Sequence, residues 1–278
     1  MSVNEDFELK CLNRFNKIKS VLCAGLDPAI EKFPPKFKDM QPAEAITSYF
    51  VEVADAVKGA ALVSKPNIAF YEQYGAAGLA ALHTVIDKLH DCDIPVVLDA
   101  KRGDIGNTAK AYAKAVFDDF GADAVTLSPY MGIDSLQPFF DYTDRGCFVL
   151  CRTSNKGSSD FQLLQVGDMY LYEAVAHKII EWNKSYNHNI GAVVGATQIE
   201  ELRKIAKLFS ENGYPPLLIP GVGTQGGSFD DVMAALRAVK YPLHKVLINS
   251  SSKLTYSHAA DEDYLAGVLS EAKKFILQ

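Results

Sequence analysis

Short apolar runs recur along the chain, each separated from the next by enough residues for a helix. The runs at 21–25, 61–65, 96–99, 124–127, 148–151, 192–194, 217–219 and 246–248 are of strand length and rich in Val, Ile, Leu and Ala. That is the pattern of parallel strands buried on both faces. Between them apolar positions fall at helical spacing over 42–58, 71–90, 108–120, a short 135–142, 166–186, 198–212 and 228–239. A last helix is predicted at 261–277, and an extra one precedes the first strand at 4–18. Eight strand-then-helix repeats predict a closed (β/α)8 TIM barrel with an extra N-terminal helix, one domain over residues 1–278. The competing arrangement, a doubly wound open sheet, should carry a glycine-rich dinucleotide turn after its first strand. Gly25-Leu26-Asp27-Pro28 stands there instead.

In a barrel of this kind, residues just beyond the strand C-termini converge on one mouth. Those positions hold Asp27, then Lys65, Pro66 and Asn67, then Asp99, Lys101 and Asp104, then Ser128, Pro129 and Tyr130. Further round come Arg152 to Asn155 with Ser154 among them, Gly195 to Gln198, the stretch Pro220 to Gly227, and Asn249, Ser250, Ser251, Ser252 and Lys253. The third of these groups is the densest in charge. Alternation along a strand projects Asp99 and Lys101 to the same side. Gly103 then permits a turn, Asp104 adds a second acid, and Asn107 suits the N-cap of helix 108–120. Charged groups this close are costly to bury unless they pair with each other or with a ligand. Alone, the stretch reads equally as a loop with a surface salt bridge; its place at a strand end favours a reactive mouth. The run Pro220-Gly221-Val222-Gly223-Thr224-Gln225-Gly226-Gly227 is by itself a mobile loop. After a seventh strand and before a helix N-terminus, it reads as a phosphate cradle.

Composition narrows the function classes. Of 278 residues 48% are hydrophobic, enough for a large core. A net charge of -6, with Lys and Arg scattered, argues against a nucleic-acid partner. Five cysteines without framework spacing point to reduced thiols and a cytoplasmic setting. Cys147 and Cys151 share a strand face but lack the further Cys or His of a metal set, so they read as core and no metal site is expected. The N-terminus is charged at once, without the apolar core of a signal peptide, and no stretch approaches the length of a membrane span. Ser252-Lys253-Leu254 is internal and so is no C-terminal peroxisome address.

The run Asp99-Ala100-Lys101-Arg102-Gly103-Asp104-Ile105-Gly106-Asn107-Thr108 resembles the D-x-K-x-x-D signature of the orotidine 5′-phosphate decarboxylases. Matches follow in the family's order almost throughout: A-G-L-D-P at 24–28, K-P-N at 65–67, S-P-Y-M-G at 128–132, R-T-S-N at 152–155 and P-G-V-G-T-Q at 220–225. K-P-N and the long N-terminal segment are similar to the family's larger-chain branch. The resemblance implies decarboxylation of orotidine 5′-phosphate to UMP and CO2, the last step of de novo pyrimidine nucleotide synthesis, without metal or organic cofactor. It implies that Asp99 lies beside the substrate carboxylate and that Lys101 protonates C6. Lys65 would pair with Asp99 and contact the ribose, near Asn67, and Asp27 would accept from a ribose hydroxyl. Ser154 would bond the pyrimidine amide, Gln225 and the Gly223 to Gly227 backbone would hold the phosphate, and Ser251 would contact the substrate. The resemblance also implies a homodimer in which Asp104, with Ile105 and Thr108, enters the neighbouring subunit's site.

The chain departs from the pattern once. The family's N-x-x-R reads Asn249-Ser250-Ser251-Ser252 here, so Ser252 stands where Arg is expected, and Lys253 is the candidate to hold phosphate in its place. Three other readings compete. A sugar-phosphate enzyme on the same barrel would need Mg2+ and extra carboxylates at the mouth, of which no surplus is evident. A Schiff-base aldolase would need a lysine of depressed pKa, which flanking acids oppose. A nucleotide-binding protein on a degenerate barrel would explain Ser252 and predicts UMP binding without turnover.

Overall fold

A computed structural model describes residues 6–186, 188–223 and 226–277. Eight parallel strands surround one axis: β1 (Leu22–Gly25), β2 (Ala61–Lys65), β3 (Val97–Arg102), β4 (Ala124–Leu127), β5 (Gly146–Arg152), β6 (Ile190–Val194), β7 (Leu217–Ile219) and β8 (Val246–Ser250). The hydrogen-bonded order is β2-β1-β8-β7-β6-β5-β4-β3. Bridges Ser64 to Val96 and Asn67 to Asp99 join the two ends, so the expected barrel forms and is nearly closed. The helices that follow the strands are packed outside. In chain order the helices are α1 (Phe7–Ile18), which precedes β1 and caps the inner core, then α2 (Pro42–Val57), α3 (Gly75–Asp91), α4 (Gly106–Lys114), α5 (Ile133–Phe140), α6 (Leu171–Ser185), α7 (Ile199–Ser210), α8 (Phe229–Ala238) and α9 (Tyr264–Lys273).

Strand alternation divides the core in two. Cys147, Val149 and Cys151 face the outer layer between strands and helices, whereas Phe148 joins Cys23, Val63, Val97, Val193, Leu218 and Leu247 inside the barrel. The extra helix α1 closes the N-terminal end of that inner core. Its first residue, Phe7, meets Phe148 edge-on with ring centroids 6.0 Å apart. Gly146 makes room for it, since a Cβ there would stand 2.6 Å from the Phe7 ring. Asp6 caps the helix by accepting from the Leu9 amide at 2.8 Å. Among the described residues, an aromatic ring plugs one end and the cavity lies at the strand C-termini.

Asp123, at the start of β4, fastens the same closed end. Its buried carboxylate is held by Lys10 of α1 at 2.6 Å and by His90 at 2.9 Å, with Arg145 at 3.7 Å. It also accepts from the Val96 amide at 2.8 Å. Burial pushes this carboxyl up, but its cationic partners more than reverse that and lower it to about 2.

Several predicted elements have different bounds, for local reasons. The helix expected over 71–90 is broken in two, Ala69–Glu72 and α3, by Gly75 at φ +64°. The one expected over 166–186 begins late. Gln165–Val166 and Met169–Tyr170 form an antiparallel hairpin about Gly167 and Asp168, with Gly167 at φ +64°, and α6 starts only at Leu171. The final helix is shorter than 261–277 because Asp263 caps it, and an additional turn, Ser252–Tyr256, follows β8. Asn107 is not an N-cap: α4 already starts at Gly106, with Ile105 in the cap position, and the segment widens into a π-helical stretch at Ala115–Asp119. No helix among the described residues is long and apolar enough to cross a membrane.

Candidate active site

The mouth holds a cavity of about 660 Å³, within the usual range for small-molecule sites. Its floor is apolar, from Leu150, Val193 and Leu218, and its charged wall comes from β1, β2 and β3. Asp99 is the centre of that wall. Its Oδ2 accepts from Lys65 Nζ at 2.9 Å and from Asn67 Nδ2 at 3.3 Å. Its Oδ1 accepts from Lys101 Nζ at 2.6 Å and from Thr126 Oγ1 at 2.8 Å. Asp99 is also tied through its backbone to the loop after β2, its amide donating to Pro66 O and its carbonyl accepting from Ile68.

Burial would neutralise these groups if each stood alone. Together they stay charged. Desolvation lowers the Lys65 ammonium, yet the fields of Asp99 and Asp27 overcome it and hold the pKa above that of an ordinary lysine. Desolvation likewise raises Asp99, and Lys65 and Lys101 hold it well below the usual carboxylate range. Lys65 and Asp99 are almost fully buried, while the Lys101 side chain is 48% exposed. The array therefore has one almost fully buried cation and one half-exposed cation, both lining the cavity and both bound to the same anion.

Asp27 fixes the opposite edge of the wall. It accepts from the Asn67 amide at 3.1 Å and from Ser251 Oγ at 2.6 Å, which ties the loops after β1, β2 and β8 together. Tyr256 Oη donates to the Asp27 carbonyl at 2.6 Å and accepts from the Ala29 amide at 3.0 Å, fixing the turn that presents the carboxylate. Gly25 allows the approach, since a Cβ there would lie 2.6 Å from Ser251 Cβ. Across the cavity, Arg152 is buried at the end of β5. It donates to Ser158 at 2.5 Å and to Gln198 at 2.9 Å, holding the segment that carries Thr153, Ser154 and Asn155 into the lining.

Of the residues expected from the sequence, Asp27, Lys65, Asn67, Asp99, Lys101, Ser154, Ser251 and Ser252 all line this one cavity. Asp104, Ile105 and Thr108 are not among its lining residues. Asp104 accepts from the Ile105 amide, and Ile105 and Thr108 are exposed. Gly223 and Lys253 stand beside the mouth but outside the lining: Lys253 Cδ is 3.1 Å from where a Gly223 Cβ would stand. Gln225 falls outside the described residues. Thr126, Phe70 and Gln162 were missed. Thr126 had a signal, a hydroxyl at an inward position of the otherwise apolar strand A-V-T-L. Phe70 and Gln162 sit on short helical turns whose position depends on the tertiary fold.

Alternation alone does not describe how Asp99 and Lys101 meet. Leu98 pairs with Val125, but Arg102 rather than Ala100 pairs with Leu127, so β3 bulges between them. Lys101 sits in the bulge with φ 46°, in the left-handed region.

Comparison with known proteins decides the family. The model of the family described as "Orotidine 5'-phosphate decarboxylase / HUMPS family" matches residues 20–264. The chain belongs to this family. The orotidine 5′-phosphate decarboxylase of Herpetosiphon aurantiacus is 44% identical over 241 residues, 86% of this chain and 85% of that protein. The family likeness extends to three dimensions. The structure of Leishmania donovani OMP decarboxylase matches with a TM-score of 0.79 at 41% identity, over 97% of this chain and 98% of that one. That of Leishmania donovani UMP synthase matches with a TM-score of 0.82 at 41% identity and covers 98% of this chain, which spans 56% of that protein's length.

Proposed function

We propose that this chain decarboxylates orotidine 5′-phosphate to UMP and CO2 as a carbon–carbon lyase, acting as one catalytic domain. The observation that carries the reading is the buried Asp99 carboxylate clasped between Lys65 and Lys101 at the base of a nucleotide-sized cavity. The pyrimidine carboxylate is set beside Asp99. Two like charges about 4 Å apart repel by roughly 4 kcal/mol at an effective dielectric of about 20, and loss of CO2 relieves that repulsion. The C6–carboxyl bond breaks, its electron pair remains on C6, and the Lys101 ammonium stabilises that charge and donates the proton that completes UMP. Lys65 and Asp27 meet the ribose, Ser154 the pyrimidine amide, and Gly223, Gln225, Ser252 and Lys253 the phosphate. Neither metal nor organic cofactor takes part in this scheme.

The reading includes a homodimer. Asp104, Ile105 and Thr108 are not among the residues lining their own cavity, and Ile105 and Thr108 are exposed, as residues given to a neighbour's site would be. The loop after β4, against which Gly103 packs at Ser128, exposes Tyr130 and Met131. Five free thiols, four of them buried, suit a reducing cytoplasm.

The test is spectrophotometric. Purified wild-type protein should consume orotidine 5′-phosphate, in the presence of EDTA as well as without it, and Lys101→Ala should lower kcat by about a thousandfold or more. A wild-type protein that binds UMP but leaves orotidine 5′-phosphate unchanged would overturn the proposal.

A further inference from the structure

Thr126 is 2% exposed, on β4, and touches both members of the central pair. Its Oγ1 lies 2.8 Å from Asp99 Oδ1 and 3.0 Å from the Lys101 amide nitrogen. The hydroxyl has one proton, and an amide can only donate. The Lys101 N–H must therefore point at Oγ1, and the hydroxyl proton must go to the carboxylate. The roles are fixed by the chemistry of the three groups.

This placement coincides with the break in the β3–β4 ladder. Where β3 bulges, no main-chain partner on β4 stands opposite Lys101, and the residue occupies the left-handed region that L-residues avoid. A buried or half-buried amide without an acceptor would not keep that conformation. Thr126 Oγ1 supplies the acceptor. At the same time it completes the shell around Asp99 Oδ1, whose other donor is Lys101 Nζ. One hydroxyl thus holds both the backbone and the counter-ion of the proposed proton donor.

We propose that Thr126 is a positioning residue of the reaction, acting through Lys101 and Asp99 to hold the ammonium where it meets the reacting carbon. This rests on the decarboxylase reading. It concerns a residue that lines the cavity but whose hydroxyl is engaged by Asp99 and the Lys101 amide, so its loss should act on kcat more than on KM.

The experiment compares Thr126→Val, nearly equal in size and suited to a strand, with Thr126→Ser, which restores the hydroxyl. Wild type is assayed first on orotidine 5′-phosphate. Thr126→Val should keep the wild-type circular dichroism, lose about 10- to 100-fold in kcat and change KM less than about threefold, whereas Thr126→Ser should recover kcat to within about threefold. Hydrogen exchange at the Lys101 amide gives a readout independent of activity: it should speed up in Thr126→Val and return toward wild type in Thr126→Ser. An active wild type with an equally active Thr126→Val overturns the positioning role and leaves the decarboxylase reading intact. An inactive wild type overturns that reading, and unaltered Lys101 exchange in Thr126→Val then also removes the tether. If Thr126→Val fails to fold, an active Thr126→Ser with wild-type exchange supports the role, and a folded Thr126→Ser with wild-type exchange but a 10-fold loss of kcat overturns it.

Discussion

Lys101 Nζ and Asp99 Oδ1 stand 2.6 Å apart across a bulge in a single strand. The cation that would protonate the substrate is therefore already neutralised, in part, by the anion that would repel it. In the proposed reaction, substrate entry would set the pyrimidine carboxylate against Asp99 and in competition with it for the same two ammonium groups. On that proposal the bound substrate would be poorly satisfied and the decarboxylated one well satisfied, which is differential binding in favour of the transition state over the ground state.

Asp99→Asn separates those two effects. Without the charge at position 99, Lys65 and Lys101 are left to pair with the substrate carboxylate, so the ground state is stabilised while the incentive to lose CO2 disappears. KM for orotidine 5′-phosphate should fall by up to about tenfold and kcat should fall by about a hundredfold or more. Steady-state kinetics on folded protein decide it. A raised KM with unchanged kcat would mean that Asp99 only binds substrate.

Subunit sharing has a sharp signature. Asp104→Ala and Lys101→Ala each inactivate every site of their own homodimer if position 104 acts across the interface. Mixed and allowed to exchange, they form heterodimers in which one site carries both defects and the other neither. Random assortment should restore about a quarter of wild-type activity. No recovery, under conditions where exchange is demonstrated by mass, would place Asp104 in its own subunit or outside the reaction.

The barrel was legible because eight apolar runs of strand length alternate with helical spacing and the turn after the first strand lacks the glycine-rich fingerprint of an open doubly wound sheet. The charged wall was legible for a related reason: polar side chains that end apolar strands have nowhere to go but the mouth. What periodicity could not show was local. The bulge at Lys101 depends on how β3 registers against β4, a relation between two distant segments. The hairpin at residues 165–170 hid because Val166 and Met169 also fit a helical face, and only Gly167 and Asp168 marked a turn. Thr126 was visible as an odd hydroxyl, but its importance appears only once Asp99 lies across from it.

Phosphate binding is where this chain differs from the pattern its motifs resemble. Ser252 lines the cavity, and Lys253 lies against the Gly223 backbone just outside it. A lysine there offers a compact charge where a guanidinium would offer a fork of paired donors. Lys253→Ala should therefore raise KM for the nucleotide about tenfold with a smaller change in kcat, and Ser252→Arg should lower it. An unchanged KM in Lys253→Ala would assign the phosphate wholly to the glycine-rich loop and the serines.

The closed end of the barrel predicts how the fold responds to acid. Asp123 is buried and its carboxyl is lowered to about 2 in the folded protein, against 3.8 for an ordinary aspartate. A group depressed on folding stabilises the native state above its unfolded pKa and ceases to do so as pH falls through the folded one. The shift corresponds to about 2–3 kcal/mol, complete at pH 5 and lost progressively between about pH 4 and 2. Because Lys10 joins Asp123 to α1, the loss should loosen the helix that plugs the barrel with Phe7. Urea denaturation of the wild type should show stability falling across that window. In Asp123→Asn, which leaves Lys10 and Arg145 without their counter-ion, stability should already be lower by about 3 kcal/mol at pH 7, with a shallower decline in acid. Parallel acid profiles for the two proteins would show that the carboxylate, however well paired, does not couple protonation to the closure of the barrel.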